Sequence, residues 1–331
     1  MNPDWNQRLI AAGMQAAGEH FGTPAEELAA ARDGAIVAPL AEFGLIRASG
    51  PDASVFLHNL LTNDIKGIDA ATLRLAGFCT PKGRLLAIFA IWREGEDFLL
   101  LVPQEILPGI LKKLSMFVLR AKVKLTDASA ERVLLGASPA PAFCEPTLAA
   151  VSVTDGGVLI RLDASRALLC LQADAAPARW DALTEKARPV GSLAWQWLEI
   201  AAGQPRVVGA TQEVFVPQML NMDLPGVSGV SFTKGCYPGQ EIVARTHYLG
   251  KVKRRMLRAR FTTAAAPGTH VYAPETGDQQ CGALVSVAPS PEGGCEALVS
   301  VQLGVVEAGE VHLGTPEGER LGFLPLPYAL E

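Results

Sequence analysis

The most constraining feature of this sequence is a change in its hydrophobic pattern near residue 250. Before that point, strand-like runs alternate with segments whose apolar residues recur every three or four positions, as on one face of a helix. Behind it, short strand-like runs are separated by Gly, Pro and Asp clusters, without a helical period. We therefore predict mixed helix–strand units first, followed by an all-β barrel or sandwich of about six strands.

The first mixed unit is predicted over residues 36–130, behind an N-terminal helix and polar leader in residues 1–35. It begins with two short strands, and a helix over residues 51–63 follows, with Ser49 as its N-cap. Residues 73–103 contain three further strands separated by two turns, and a helix and a last strand come after them. This order indicates helices packed on one face of an antiparallel sheet.

A second α+β unit of similar size is predicted over residues 131–248, and the β-barrel over residues 249–331. The second unit contains several strands and then a helix that begins at Ser192 and ends before Gly203. The predicted fold class is therefore α+β, with two mixed units and a C-terminal antiparallel β-barrel.

Composition excludes several classes of protein. The chain has 331 residues, of which 49% are hydrophobic and 19% charged, so a large buried core is expected. The net charge of −5 provides no general footprint for nucleic acid, and direct nucleic-acid binding is not expected. No apolar run is long enough for a membrane span, and the first residues lack the pattern of a signal peptide.

The cysteines point to a reducing compartment. There are six in the chain, and none forms a C-x-x-C pair, so neither a zinc ribbon nor a thioredoxin motif is expected. Together with the missing signal peptide and membrane span, this predicts a soluble, cytoplasmic protein.

One cysteine has unusual neighbours, in the segment TKGCYPGQE. Lys234 precedes Cys236 by two residues, and Arg245 supplies a second nearby cation. Gly235 and Gly239 allow backbone conformations that other residues avoid and a close approach to a ligand. Because the thiolate is the reactive form of cysteine, nearby positive charge favours a functional thiol in a cleft. The alternative is an inert, buried cysteine in a structural turn.

The rest of the motif adds polar groups but no complete catalytic or metal site. Gln240 can donate and accept hydrogen bonds, and Glu241 can position a cation or accept from an N–H group. A Cys–His nucleophile would need His247, which would lie far from the thiol if the segment after Glu241 were a strand. A single cysteine can supply one metal ligand but never a cage, and no metal site is predicted.

These motifs resemble those of a known family. The sequences KGCYPGQEIVAR, GPDASVFLHNLLTND, FCTPKGRLLAIFAIWRE and LPLPYALE occur in the order typical of the bacterial YgfZ family of folate-binding proteins. Relatives of that family include a mitochondrial iron–sulfur assembly factor. The resemblance extends over nearly the whole chain from about residue 36, and its most specific part is K-G-C-Y-x-G-Q-E, which includes Tyr237.

The resemblance implies the fold of the folate-dependent aminomethyltransferase of the glycine cleavage system. That fold has two ferredoxin-like α+β units and a C-terminal β-barrel around a central channel that binds tetrahydrofolate. By resemblance, Phe43 and Trp195 contact the folate, although many family members have tryptophan where Phe43 stands. Phenylalanine keeps a stacking face but lacks the indole N–H donor.

The anionic glutamate tail of a folate would require Lys or Arg side chains. Lys234, Arg245, Arg254 and Arg255 are the candidates. The alternative for at least half of the charges in residues 251–255 is a solvated edge strand.

One departure from the enzyme bears on activity. The aminomethyltransferases carry paired aspartates in the hairpin where this chain has Leu85, Leu86 and Ala87. Apolar side chains can neither accept a proton nor pair with an ammonium group, so aminomethyl transfer is not expected.

We therefore expect a tetrahydrofolate-binding accessory protein for iron–sulfur cluster assembly or repair. It would act with iron–sulfur proteins or their assembly machinery, would affect tRNA modification indirectly, and would use Cys236 as its functional thiol. The alternative is a folate-dependent one-carbon transferase or demethylase with an unknown acceptor. A third hypothesis, direct binding of tRNA, is weakened by the acidic net charge.

Overall fold

The computed structural model describes residues 2–15, 18–145, 149–248 and 252–330, and within them the chain has an α+β fold. The helices are α1 (Pro3–Ala11), α2 (Pro24–Asp33), α3 (Ala53–Leu60), α4 (Leu107–Ser115), α5 (Ala176–Thr184), α6 (Ser192–Ala201), α7 (Gln240–Tyr248) and α8 (Leu303–Ala308). None of them combines the length and the apolar character that a bilayer-spanning segment requires.

The strands of the described residues form three sheets. A five-stranded sheet has the order β3-β4-β5-β2-β6. Its strands are β2 (Phe43–Ser49), β3 (Arg74–Cys79), β4 (Leu85–Glu94), β5 (Asp97–Pro103) and β6 (Lys124–Asp127). These elements confirm the predicted strands of residues 73–103, with the turns at the Pro–Lys–Gly and Glu–Gly–Glu sequences.

A six-stranded sheet has the order β11-β1-β7-β10-β9-β8. Its strands are β1 (Ile36–Pro39), β7 (Arg132–Ser138), β8 (Val151–Thr154), β9 (Gly157–Arg161), β10 (Ala167–Gln172) and β11 (Arg188–Pro189). Pairing is antiparallel except between β1 and β11. Strand β1 therefore joins the sheet of the later strands, although β2 follows it directly in sequence.

The third sheet is formed by the C-terminal part of the chain, in the order β16-β13-β14-β15-β12-β17. Its strands are β12 (Arg254–Phe261), β13 (His270–Tyr272), β14 (Gln280–Pro289), β15 (Cys295–Gln302), β16 (His312–Leu313) and β17 (Gly322–Leu324). All of the described pairings are antiparallel. This confirms the predicted antiparallel β unit of about six strands.

The chain divides into two compact units: Met1–Phe56 with Lys66–Arg74 and Ala90–Leu198, and Leu57–Ile65 with Leu75–Phe89 and Glu199–Glu331. The first unit has a core in which Trp5 and Leu9 of α1 pack with Val133 and Leu135 of β7 and Trp180 of α5. These apolar residues recur at helical spacing in α1 and at alternate positions in β7, so one face of each element contributes to this core. Strand β7 is buried along its whole length.

The second unit has its own core on one face of the C-terminal sheet. Val271, Val299 and Val301 are fully buried there, with Leu313 of β16 and Val305 of α8 packed against them. This core consists mostly of small apolar side chains, chiefly alanine and valine. The other face of the C-terminal sheet is available to contact residues that precede the sheet in sequence, such as residues 214–219.

Two predicted details of this fold were wrong. Ser49 does not cap α3, because it is the last residue of β2 and pairs with Lys124. The helix also ends at Leu60, before the predicted end near Asn63, because Leu61 leaves the helix to form a bridge with Phe78.

The C-terminal region contains a helix where only strands were expected, and the segment after Glu241, for which a strand was one possibility, is helical. The chain after Gly239 is helix α7, and the C-terminal region contains the short helix α8. Helix α8 is followed by Gly309 at φ +99°, a left-handed cap that glycine adopts without a steric penalty. The helix contains two valines, which favour strands, so the hydrophobic pattern did not predict it.

Candidate functional site

Cys236 lies on an exposed loop that precedes helix α7. All six cysteines are described and are free thiols, and Cys236 is the exposed one among them. Burial raises the pKa of the thiols of Cys79 and Cys170 to about 12, so neither supplies a thiolate near neutral pH. Cys236 is therefore the most accessible thiol among the described cysteines, and Cys295 is partly exposed.

Lys234 fixes the start of this loop to the end of helix α3. Its ammonium group donates hydrogen bonds to the carbonyl oxygens of His58 and Leu61, with an Nζ–O distance of 2.6 Å to Leu61. These carbonyl groups lie at the negative end of the helix dipole, where a cation is favourable. The ammonium also lies 4.8 Å from the ring centroid of Tyr237. In this structure Lys234 is a positioning residue for the loop.

Tyr237 anchors the loop on the other side of the cysteine. Its side chain is buried, and burial raises the pKa of its phenol, with the thiol of Cys79 adding to the shift. The two residues that flank Gly235 and Cys236 are thus held, while Gly235 and Cys236 are themselves exposed. The thiol of Cys236 is therefore exposed on a loop whose two flanking residues, Lys234 and Tyr237, are held in place.

Gly239 packs against the turn between β3 and β4. It has φ +83°, and a Cβ atom there would lie 2.5 Å from the carbonyl oxygen of Thr80 and 2.7 Å from the Cα of Gly83. Any other residue at this position would be strained and would clash with backbone. Gly235 is different, because a Cβ there would meet no described atom within 4 Å beyond its chain neighbours. The predicted need for glycine therefore applies to Gly239.

Hydrogen bonds connect the segment before the motif to the residues that follow α3. Thr62 Oγ1 donates to the carbonyl of Gly229 at 2.6 Å, and Asn63 Nδ2 donates to the carbonyl of Ser228 at 2.7 Å. Thr62 Oγ1 also accepts from the backbone N–H of Gly77. Sequence reasoning missed both side chains. The signal was the polar Thr-Asn pair directly behind an apolar helical stripe.

Helix α7 carries the other predicted residues of the motif. Gln240 is its first residue, and the exposed Glu241 lies in its first turn, where a negative charge suits the helix dipole. Arg245 is exposed in the last turn. The ring of His247 stacks on Phe232 with a centroid distance of 3.7 Å. The structure therefore gives His247 a packing contact with Phe232, and among the described residues no contact pairs this imidazole with the thiol.

Phe43 and Trp195 both belong to the first unit. Phe43, the first residue of β2, lines a small pocket together with Trp5, Ser129 and Arg132. Trp195 does not line that pocket. The structure therefore places the two predicted folate contacts in one unit without bringing them together on this pocket wall.

Trp195 is 1% exposed and packs against the backbone of β7. A Cβ on Gly136 would lie 2.5 Å from the indole ring, and the guanidinium of Arg166 lies 5.6 Å from the ring centroid. The indole Nε1 has no hydrogen-bond partner among the described residues. The indole Nε1 of Trp197 on the same helix likewise has no partner among the described residues, so this feature alone does not single out Trp195.

Two candidate cations of β12 have different surroundings. Arg255 is buried, and its Nη1 lies 2.5 Å from Asp223 Oδ1, so its charge is neutralised within the fold. Arg254 is partly exposed, and its Nη2 lies 3.5 Å from the carbonyl of Gln280. Strand β12 lies between β15 and β17, but Arg254 and Arg255 pair only with β15 in the described sheet.

Leu85, Leu86 and Ala87, at the positions for which the resemblance implies aspartates in the aminomethyltransferases, begin strand β4. Leu85 and Ala87 are fully buried and Leu86 nearly so. The backbone of Leu85 is hydrogen-bonded to residues 213–215. Its N–H donates to the carbonyl of Phe215, and its carbonyl accepts from the N–H of Glu213. These residues serve packing and hydrogen bonding of the hairpin.

Comparison with known proteins identifies relatives over most of the chain. No family model matches it. The tRNA-modifying protein YgfZ of Colwellia psychrerythraea is 35% identical over 228 residues, which cover 66% of this chain and 69% of that protein. YgfZ of Serratia proteamaculans is 29% identical over 306 residues, covering 88% and 92%. A mitochondrial iron–sulfur cluster assembly factor IBA57 homolog of Mycosarcoma maydis is 29% identical over 263 residues, covering 75% and 63%.

The solved structures confirm the expected fold. The glycine cleavage system aminomethyltransferase T of Bartonella henselae aligns with a TM-score of 0.74 at 17% identity, and covers 100% of this chain and 98% of its own. At this identity the likeness shows the architecture alone. The sequence relatives and the common architecture agree, and the chain belongs to the YgfZ family.

Proposed function

We propose that this protein is a tetrahydrofolate-binding accessory factor for iron–sulfur cluster assembly or repair, in which Cys236 is the functional thiol. The observation that carries the proposal is the exposed cysteine on a loop fixed at both sides by Lys234 and Tyr237. A sulfur held in this way can contact a partner protein or a cluster in transit without refolding of the loop.

The names of the relatives support a role in iron–sulfur cluster assembly. One is named as an iron–sulfur cluster assembly factor and others as tRNA-modifying proteins. We infer that the effect on tRNA modification is indirect, through enzymes that need iron–sulfur clusters. The free state of all six thiols supports a cytoplasmic location, where cysteines remain reduced.

Folate binding is the second part of the proposal, and the residues present fit such a ligand. Trp195 offers an indole N–H without a partner among the described residues, and Phe43 offers an aromatic wall in a pocket that also contains Arg132. A pterin presents hydrogen-bond acceptors and a flat face, and both match these groups. A bound folate would supply one-carbon chemistry; the residues of this chain would bind and orient it.

The hairpin supports an accessory role over aminomethyl transfer. Leu85, Leu86 and Ala87 are buried and apolar, so these positions cannot hold a substrate amine or move a proton. The alternative, one-carbon transfer or demethylation with a different acceptor, predicts turnover of methyl- or formaldehyde-loaded tetrahydrofolate by the purified protein. Folate binding without turnover across a panel of acceptors would favour the accessory role.

The thiol is tested in cells that lack the native protein, by the activity of an iron–sulfur dehydratase. Wild-type protein should restore the activity, and Cys236→Ala should not, although both accumulate equally because the side chain is exposed. The matched control is Cys295→Ala, which removes a partly exposed cysteine of the C-terminal sheet. Full rescue by Cys236→Ala would remove the thiol from the mechanism.

Folate binding is tested separately, by calorimetric titration of the purified protein with tetrahydrofolate. Trp195→Phe keeps an aromatic ring but lacks the N–H donor, and we expect roughly tenfold weaker binding. Trp197→Phe is the matched control from the same helix, since Trp197 carries no predicted folate contact. Absence of binding by the wild-type protein would overturn the folate part and leave the thiol part intact.

A further inference from the structure

The second unit contains a pocket that the Cys236 loop does not line. It lies between one face of the C-terminal sheet and the segment of residues 214–219. We call it the basic pocket, after the side chains of Arg84, Arg254 and His270 in its wall. Arg84 and His270 belong neither to the Cys236 loop nor to the predicted folate contacts. Arg254 is one of the four candidates for binding the anionic tail of a folate.

The strand register places the sheet residues of the pocket on one face. His270 is directly opposite Ala283, which is opposite Ser300, which is in turn opposite Met256. Residues directly opposite each other in a sheet project to the same side, as do residues two apart along a strand. Arg254 therefore shares this face with His270 and Ser300. The valine core of the second unit occupies the other face.

The lining combines positive charge with an apolar wall. Arg84 and Arg254 are partly exposed and His270 is exposed, while Phe215 is buried and Met219 partly so. No aspartate or glutamate lines the pocket. An uncompensated pair of guanidinium groups beside an aromatic and a thioether side chain suits an anion that carries an apolar body.

Two polar groups of the pocket, the Ser300 hydroxyl and the Arg84 guanidinium, can donate hydrogen bonds to an oxygen atom of a ligand. Ser300 is 1% exposed, and its hydroxyl has no hydrogen-bond partner among the described residues. Leaving such a group unpaired is costly, and a ligand oxygen would satisfy it. Arg84 is oriented by its hydrogen bond from Nη1 to the carbonyl of Val214 at 2.5 Å, which engages one of its five N–H donors.

We propose that the basic pocket is a binding site for a small ligand that carries an oxyanion, phosphate or carboxylate, on an apolar body. Arg84 and Arg254 bind the oxyanion, and the Ser300 hydroxyl donates to one of its oxygens. Phe215 and Met219 contact the apolar body. The proposal assigns Arg254, one of the four candidates for the folate tail, to this ligand instead, and it requires neither the thiol nor the folate part of the proposed function.

The test is calorimetric titration of the full-length protein with phenyl phosphate, benzoate and benzyl alcohol at low ionic strength. At least one of the two anions should bind, and benzyl alcohol, which has the ring without the charge, should not. The tighter of the two anions identifies the ligand class as phosphate or carboxylate. Failure of both anions to bind, or equal binding of benzyl alcohol, would overturn the proposal.

Variants separate this site from general charge effects. Arg254→Gln should weaken binding of the preferred anion roughly tenfold. Arg260→Gln, which removes the same charge from an exposed position on the same strand, should leave it unchanged. Equal loss in both variants would mean that only the overall charge of the strand matters, and the proposal would be wrong.

Ser300→Ala distinguishes a binding role from a structural one. Because the hydroxyl has no partner among the described residues, its removal should weaken anion binding without lowering the melting temperature. A lower melting temperature with unchanged binding would refute the role of Ser300. Finally, saturating tetrahydrofolate should not displace the anion, and competition between them would overturn the assignment of Arg254 to this ligand.

Discussion

Gly83 and Gly239 pack backbone against backbone, such that a Cβ atom on Gly239 would lie 2.7 Å from the Cα of Gly83. Both residues have positive φ angles, +71° and +83°. This contact joins the turn of the β3–β4 hairpin to the start of helix α7. Together with the hydrogen bonds of Lys234 to the end of α3, it fixes the two sides of the loop that presents Cys236.

Gly239→Ala should lower the free energy of unfolding by roughly 1–3 kcal/mol, because the left-handed conformation disfavours a Cβ and the hairpin backbone leaves no room for it. The measurement is urea denaturation followed by circular dichroism. Gly235→Ala, in the same loop, is the matched control and should change stability by less than about 0.5 kcal/mol. Equal stability of the two variants would contradict this packing.

Lys234→Met should destabilise the protein by about 1–3 kcal/mol, because two carbonyl groups at the end of α3 lose a charged donor. Lys253→Met, at an exposed position, serves as the control. If thermal unfolding showed Lys234→Met to be as stable as the wild type, the anchoring role would be wrong.

Cys236 should be the first thiol to react with N-ethylmaleimide in the native protein. It is exposed, whereas Cys79 and Cys170 are buried with pKa values raised to about 12. Peptide mass spectrometry after short exposure at neutral pH measures the order of modification. Faster labelling of Cys79 or Cys170 than of Cys236 would contradict the described burial.

Stability should fall as the pH rises above 9. Burial raises the pKa of the Cys79 and Cys170 thiols from 9.0 to about 12, so the folded state retains protons that the unfolded state releases. Their contribution is complete below pH 9 and is lost as the pH rises through about 12. Urea midpoints between pH 8 and 11 should fall less steeply in a Cys79→Ala, Cys170→Ala double variant. An unchanged slope would contradict the predicted shifts.

Local pattern was sufficient to predict most of the elements. The alternating strands and the helical stripe of α4 follow from periodicity, and the change near residue 250 correctly predicts the C-terminal sheet. Helix α7 was harder, because Ile242, Val243 and Thr246 favour strands. Tertiary contact supports the helix: Val243 is buried, and its carbonyl accepts a hydrogen bond from Gln218.

The cysteine and its exposure could be predicted, but the support of its loop could not. Lys234 was expected to tune the thiol, and its contacts with His58 and Leu61 depend on residues far away in sequence. The same holds for Thr62 and Asn63, and for the basic pocket, whose side chains come from four strands, a hairpin turn and the segment of residues 214–219. Such juxtapositions arise from topology, which a single sequence does not show directly.

The central claim is that the Cys236 thiol itself performs the function. Its most direct test is reactivation of an iron–sulfur dehydratase in an extract of cells that lack the native protein. Purified wild-type protein should restore the activity, and the same protein alkylated with N-ethylmaleimide at Cys236 alone, as verified by mass spectrometry, should not. If the alkylated protein restored the activity fully, the thiol would have no role and the account would be contradicted.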